Sequence, residues 1–204
     1  MDATTLARVK ALLDISGTSQ DAVLTTMISA VSARIENFLD RPLEQTSRTE
    51  EYNIKPRQRK LFLRAYPVTT VASIKIAPDW NYGAATAVAT DDYRLTSDNG
   101  LIHFNFYPVT SYLGDNYEAA PDAVQITYTG GLATNTTNLI SDYPNIAFAA
   151  DMQVVAAWRR RDTPQGNGIN MGGSTITYEK PLAMIPDVIE ALTPYRRLRF
   201  AANG

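Results

Sequence analysis

Twice along this chain the spacing of apolar residues changes period, from near 3.6 to near 2 at about residue 45, and back to near 3.6 at about residue 144. A 3.6-residue repeat buries one stripe of a helix, whereas strict alternation buries one face of a strand. One segment cannot satisfy both. The order helical, alternating, helical therefore predicts an α+β fold: a helical bundle built from the N- and C-terminal segments, with an inserted antiparallel β-rich region.

In the first region Leu6, Val9, Leu12 and Leu13 recur at helical spacing after Thr4 or Thr5 as a cap, and Gly17 is expected to end that helix. Thr18 with Asp21 resembles a capping box with Asp in place of Glu. Leu24, Met27 or Ile28, Val31, Ile35 and Phe38 then form a stripe, and Asp40-Arg41-Pro42 stops the helix because proline disfavours helical geometry at the residue before it. The alternating region predicts strands over 49–54, 60–63, 68–77, 92–95, 101–106 and 123–129, with Asn99-Gly100 as a type I′ hairpin turn. The stretches 79–90 and 107–121 read as long exposed loops. Tyr107, Tyr112 and Tyr117 in the second form either a binding surface or a loop that orders only in an assembly.

The third region starts at Pro144, which suits a first helical turn. Ile146, Ala150, Val154, Ala157 and Trp158 form one apolar face and Phe148, Met152 and Val155 another, leaving Asp151 and Gln153 as the polar exceptions before Arg159-Arg160-Arg161. A helix apolar nearly all round lies in a core or is shared with a neighbouring subunit. The three arginines complement the helix macrodipole, or pair with acids of a neighbour, or contact a channel or docking partner. The glycine-rich stretch 166–173 is no phosphate loop, since no Gly-Lys-Ser/Thr follows and it leaves a helix instead of a strand. It is expected to be mobile until it meets a neighbour, with 174–179 pairing as an edge strand with another chain. A last short helix, from Ile185-Pro186-Asp187, runs into Pro194-Tyr195-Arg196-Arg197-Leu198-Arg199-Phe200. That basic tail either docks, its apolar pair burying area while guanidinium groups meet carboxylates, or is a disordered tail kept soluble by charge.

Composition removes most chemistry. Cysteine is absent, His103 is the single histidine and the formal net charge is −2, so thiolate nucleophiles, His-rich metal sites and global attraction to nucleic acid are all excluded. Any DNA contact has to come from local patches at Arg57-Arg59-Lys60, Arg159–Arg161 or Arg196–Arg199. Asp91, Asp92, Tyr93 and His103 invite an acid–base reading, but His103 between Ile102 and Phe104 fits one side of an alternating strand. No catalytic, cofactor or metal residue is assigned. The start of the chain lacks the pattern of a signal peptide, and no apolar run approaches the ~20 residues that span a bilayer.

Several phrases in order carry a likeness: Phe38-Leu39-Asp40-Arg41-Pro42, Tyr66-Pro67-Val68-Thr69-Thr70-Val71, Gln125-Ile126-Thr127-Tyr128-Thr129-Gly130-Gly131, Ala157-Trp158-Arg159-Arg160-Arg161-Asp162, and Ile185-Pro186-Asp187 through Arg197. The chain resembles the head-tail connector (adaptor, head-completion) family of long-tailed bacteriophages and related gene transfer particles. That resemblance implies a non-enzymatic virion protein that adds to the portal after DNA packaging as a ring, generally of twelve copies, and carries the next neck, stopper or tail-terminator protein. DNA passes through such a ring without specific binding, no membrane is involved, and subunits wait in the host cytoplasm before assembly. Residues 1–44 and 132–195 are then the helical body, 45–131 the insertion and 196–204 the docking tail. Arg159, Arg160, Arg161, Tyr195, Arg196, Arg197, Leu198, Arg199 and Phe200 are the expected portal or subunit interface. Two other readings stay open: a neck or tail-completion protein one layer further out, and a β-sheet module that binds a ligand.

Overall fold

The computed structural model describes residues 1–55, 57–77, 80–85, 87–108, 120–161, 169–171, 174–176 and 183–197. Its chain folds as two compact units, Glu44–Thr134 and the pair of segments Met1–Leu43 and Asn135–Gly204. Helical segments from both ends thus share one unit, and the fold is α+β.

The helical unit contains α1 (Leu6–Leu13), α2 (Asp21–Leu39), α3 (Thr136–Asp142), α4 (Pro144–Arg160) and α5 (Pro186–Leu192). α4 lies at its centre, packed on all four of the others. The predicted stripe of α2 supplies buried Leu24, Ile28, Val31 and Ile35, which meet a core that includes Ile146, Ala150 and Val154 of α4; at the end of the stripe Leu39 is buried in place of the expected Phe38, which is half-buried. Two helix ends differ from expectation. α1 stops at Asp14, whose left-handed φ of 54° turns its N–H back to the Ala11 carbonyl, three residues before Gly17. α2 begins at Asp21 without a side-chain cap, because the Asp21 carboxylate is held by Lys10 Nζ at 2.7 Å instead of reaching back along its own helix. α3 was not foreseen, although its signal is present: Asn135 Oδ1 accepts from the Asn138 N–H at 2.9 Å, an ordinary asparagine cap.

The polar exceptions on α4 both bind chain segments. Asp151, fully buried, accepts from the Thr4 hydroxyl and from Arg8 Nη2 at 2.6 Å and Nε at 3.2 Å. Gln153, two residues on, accepts from the Ile185 N–H at 3.1 Å and donates to the Ala183 carbonyl at 3.3 Å. One residue fastens the start of the chain and the other fastens the segment that enters α5. Buried polar groups satisfied in this way fix position more than they add stability.

The inserted unit holds two three-stranded antiparallel sheets. β1 (Thr46–Ile54), β6 (Ala120–Gly130) and β3 (Val68–Ile76) make the first, with β6 central; β2 (Lys60–Phe62), β5 (Leu101–Phe104) and β4 (Tyr93–Thr96) make the second, with β5 central. They share one core that includes Ile54, Leu61, Ile74, Ile102, Phe104, Val124, Ile126 and Tyr128. The hairpin at Asn99-Gly100 exists, but its turn is not type I′. Thr96 faces Leu101, and the four residues between them form a 3₁₀ turn closed by Gly100 at φ 64°, while Asn99 keeps negative φ and accepts the Leu101 N–H at 3.1 Å.

Tyr52 and Tyr128 point into this core, and both hydroxyls donate to Glu50, the Tyr128 bond measuring 2.9 Å. The same hydroxyls accept the N–H groups of Arg64 at 3.2 Å and Ala65 at 3.0 Å, so one carboxylate and two phenols pin the segment leading into β3. Burial pushes both phenols above the usual tyrosine range, and for Tyr52 the bond to Glu50 adds to the effect. At the end of β6, a side chain on Gly131 (φ 139°) would collide with the Glu44 carbonyl and one on Gly130 with that of Ala65. Only glycine lets these backbones meet.

Within the stretch 174–179, expected to pair with another chain, β8 (Ser174–Ile176) pairs antiparallel with β7 (Ile169–Met171) of its own chain, and residues 177–179 lie outside the described residues. Only two residues separate these strands in sequence, and so local a pairing needs no second molecule. The expectations for Gly166–Gly168, Gly172 and Gly173, for Tyr112 and Tyr117, and for most of loop 107–121 fall outside the described residues.

Candidate functional site

α4 presents one side to solvent. Its buried residues, Ile146, Ala147, Ala149, Ala150, Asp151, Gln153, Val154 and Val155, cover most of the circumference. Asn145, Phe148, Met152 and Arg159 occupy the remaining stripe at helical spacing, with Phe148 57% and Met152 37% exposed. The expected second apolar face is therefore split: Val155 turns into the core, and Phe148 with Met152 remain outside.

The arginines that end α4 do different things. Arg159 and Arg161 are exposed and Arg160 is partly buried. Arg161 folds back so that its guanidinium lies 3.5 Å from the centre of the Trp158 ring, and its Nη1 donates to Gln20 Oε1 at 3.4 Å. Arg161 thus has partners within its own helical unit, and Arg159 at the end of the apolar stripe points outward.

The segment after α5 is packed down as far as Arg197. A 3₁₀ turn, Thr193–Tyr195, follows α5, and the Tyr195 ring meets Tyr143 edge-on at 6.1 Å while its hydroxyl accepts from Asn145 Nδ2 at 3.3 Å. Arg41 Nη1 donates to the Tyr195 carbonyl at 3.4 Å, Arg196 sits 5.3 Å from the Phe38 ring centre, and the Arg197 N–H donates to the Leu39 carbonyl at 2.8 Å. That last bond satisfies one of the orphan carbonyls at the C-terminus of α2. Tyr195, Arg196 and Arg197 are joined to the helical unit, and Leu198, Arg199 and Phe200 lie outside the described residues.

In the inserted unit Asp91, Tyr93 and His103 do line one concavity, of about 320 Å³, together with Arg59, Arg94 and Asn105. His103 is exposed on β5 between buried Ile102 and Phe104, as alternation requires. No hydrogen bond joins His103 to Asp91 among the described residues, and no group of three His, Asp or Glu is placed there to hold a metal. No described helix is long and apolar enough to cross a membrane.

A helical unit whose prominent surfaces are an apolar stripe and an anchored basic end, carrying an inserted β unit, defines a protein of assembly. The comparisons agree: the chain belongs to the head completion protein family, which it matches over residues 2–198. No curated protein matches it in sequence. Among solved structures it is similar to a chain in the virion of a native gene transfer agent particle, at 19% identity and a TM-score of 0.63, covering 98% of this chain and 93% of that one. Chains in the neck of an empty gene transfer agent particle computed with C6 symmetry (17%, TM-score 0.62, 98% and 93%) and in the neck of a native particle computed with C12 symmetry (18%, 0.60, 98% and 92%) are similar too. At these identities the likeness is one of fold, and it extends over both units.

Proposed function

We propose that this protein is a head-tail connector that forms a ring, generally of twelve copies, on the portal after DNA packaging and provides the platform for the next neck, stopper or tail-terminator protein. It carries no catalysis and passes DNA without binding it specifically, and its subunits stay in the host cytoplasm until the head is filled. The observation that carries this reading is the α4 stripe. Phe148 and Met152 are large, apolar and exposed on a helix that is otherwise buried, and covering what remains exposed would stabilise each contact by about 2 kcal/mol before association costs.

A closed ring needs two different complementary patches, unlike a twofold dimer, which needs one that matches itself. Leu12 of α1 and Val23 of α2 are exposed apolar residues off the α4 stripe, and in this reading they belong to the complementary surface. Contacts too weak to hold two free subunits become durable when a template presents all copies together. In this reading Arg159, Arg160 and Arg161 border the subunit contact, and 196–204 is the docking tail, with Leu198, Arg199 and Phe200 reaching the portal.

The test is sedimentation of the purified chain with the portal protein encoded beside it. Because Tyr195 to Arg197 are anchored to α2 and α4, the informative truncation ends after Arg197, leaving the helical unit whole. Ring-stoichiometric complexes for the full chain, lost on truncation and lost with Phe148→Asp, are the expected result. No complex with the intact chain would sink the portal-docking reading and favour a position one layer further out.

A further inference from the structure

A basic row crosses the smaller sheet, and the ring reading has no use for it. Lys60 on β2 and Arg94 on β4 both stand directly opposite His103 on the central strand β5, so the three share the outward face. All three are exposed, and none has a side-chain hydrogen-bond or ion-pair partner among the described residues. Arg59 adjoins the row, its guanidinium 4.2 Å from the centre of the Tyr107 ring. Lys60 and Arg94 flank His103 from the two outer strands with no acid between them, and a sequence selected for the fold alone could place an acid or a threonine at any of these positions. Two exposed cations without a counter-charge among the described residues leave this face open to one supplied from outside the fold.

We propose that the face bearing Lys60, Arg94 and His103, with the adjoining concavity, docks an acidic segment of a partner protein through its carboxylates. Arg94 offers a planar fork that takes a carboxylate in two parallel bonds, Lys60 adds a point charge, and His103 donates in either protonation state. At about 320 Å³ the concavity accepts side chains, not a double helix. Asp91 on its rim and the overall charge of −2 both oppose a polyphosphate, which requires cations repeated along its length. A protein segment can place its acids over Lys60 and Arg94 and a neutral residue over Asp91.

The full chain is titrated by fluorescence anisotropy with three labelled probes: a peptide alternating Glu and Ser, a Gly-Ser peptide of equal length, and a short DNA duplex. The acidic peptide should bind alone among them, with an affinity that falls as salt rises. Lys60→Glu/Arg94→Glu should weaken it at least about tenfold. Meanwhile Arg94→Glu by itself should leave the melting temperature unchanged or raised, since the exposed Arg94 side chain has no partner among the described residues to lose and the new acid stands opposite His103. Arg94→Gln, which cannot introduce repulsion, checks that lost binding is not lost folding. Absence of acidic-peptide binding, equal binding by the charge-reversed variant or by the neutral peptide, or tighter binding of the duplex through the same residues would each overturn the proposal.

Discussion

The Thr4–Arg8–Asp151 cluster makes an unequal prediction for its two charged partners. Asp151 has no exposure, whereas the Arg8 side chain is 41% exposed. Replacing Asp151 with Asn keeps the volume and the acceptor for Thr4, and it frees an arginine that water can already reach. The loss is one charge-assisted contact that solvent partly screens, costing about 1–2 kcal/mol. Replacing Arg8 with Ala instead leaves a fully buried carboxylate with the Thr4 hydroxyl as its remaining partner, a larger cost of about 3–5 kcal/mol. The double variant should then be more stable than Arg8→Ala alone, because removing the stranded charge relieves most of the damage. Urea unfolding of the four proteins at neutral pH, followed by helical circular dichroism, measures this as shifts in midpoint at constant slope. An Arg8→Ala variant no worse than Asp151→Asn, or single effects that simply add, would refute the reasoning.

Four other outcomes follow from the described contacts. Tyr128→Phe removes the acceptor of the Ala65 N–H and a donor to Glu50, and should destabilise by about 1–3 kcal/mol in thermal or chemical unfolding. Both phenols are raised in the folded state, so the stability they contribute is whole below the unfolded value of about 10 and declines as pH rises beyond it. Melting temperature should therefore fall on the alkaline side of about pH 10, with tyrosinate absorbance from these two appearing only as the protein unfolds. Gly131→Ala forces a collision with the Glu44 backbone at a φ that side chains rarely adopt, and should cost about 2 kcal/mol or more of melting stability. Gln153→Ala should speed amide exchange at Ile185 while changing global stability by only about 1–2 kcal/mol.

What was legible in the sequence was set by periodicity and punctuation. The double change of period marked an inserted β region, the stripe of α2 named four of its core residues, and His103 fell on the outward side of its strand as its neighbours required. What was not legible depended on competition between partners. Thr18 and Asp21 make a sound capping pattern, but Lys10 lies eleven residues away in sequence and takes the carboxylate first. The run 174–176 looks like an unpaired edge until its own hairpin partner is known. Asp151 and Gln153 stood out as exceptions on an apolar helix, yet nothing in their spacing told that Thr4, Arg8 and Ile185 would meet them. The surface of α4 was hidden for a similar reason: composition announces that a helix is apolar all round, and only packing decides that Phe148 and Met152 stay outside.

The two ends of the β unit leave side by side, since the Gln45 N–H donates to the Ala133 carbonyl at 2.8 Å and Glu44 bridges Ala133. For the folding chain this adjacency shortens a distance along the sequence. α2 and α4 belong to one bundle but are separated by an insertion of about ninety residues, and closing so long a loop is entropically slow. Once the insertion has folded, its joined ends act as a loop of a few residues. The difference, about five halvings of loop length, lowers the closure entropy by roughly 3 kcal/mol. The β unit is thus a folding clasp for the helices, and the order of events is expected to run from the middle of the chain outward, with the N- and C-terminal segments meeting last.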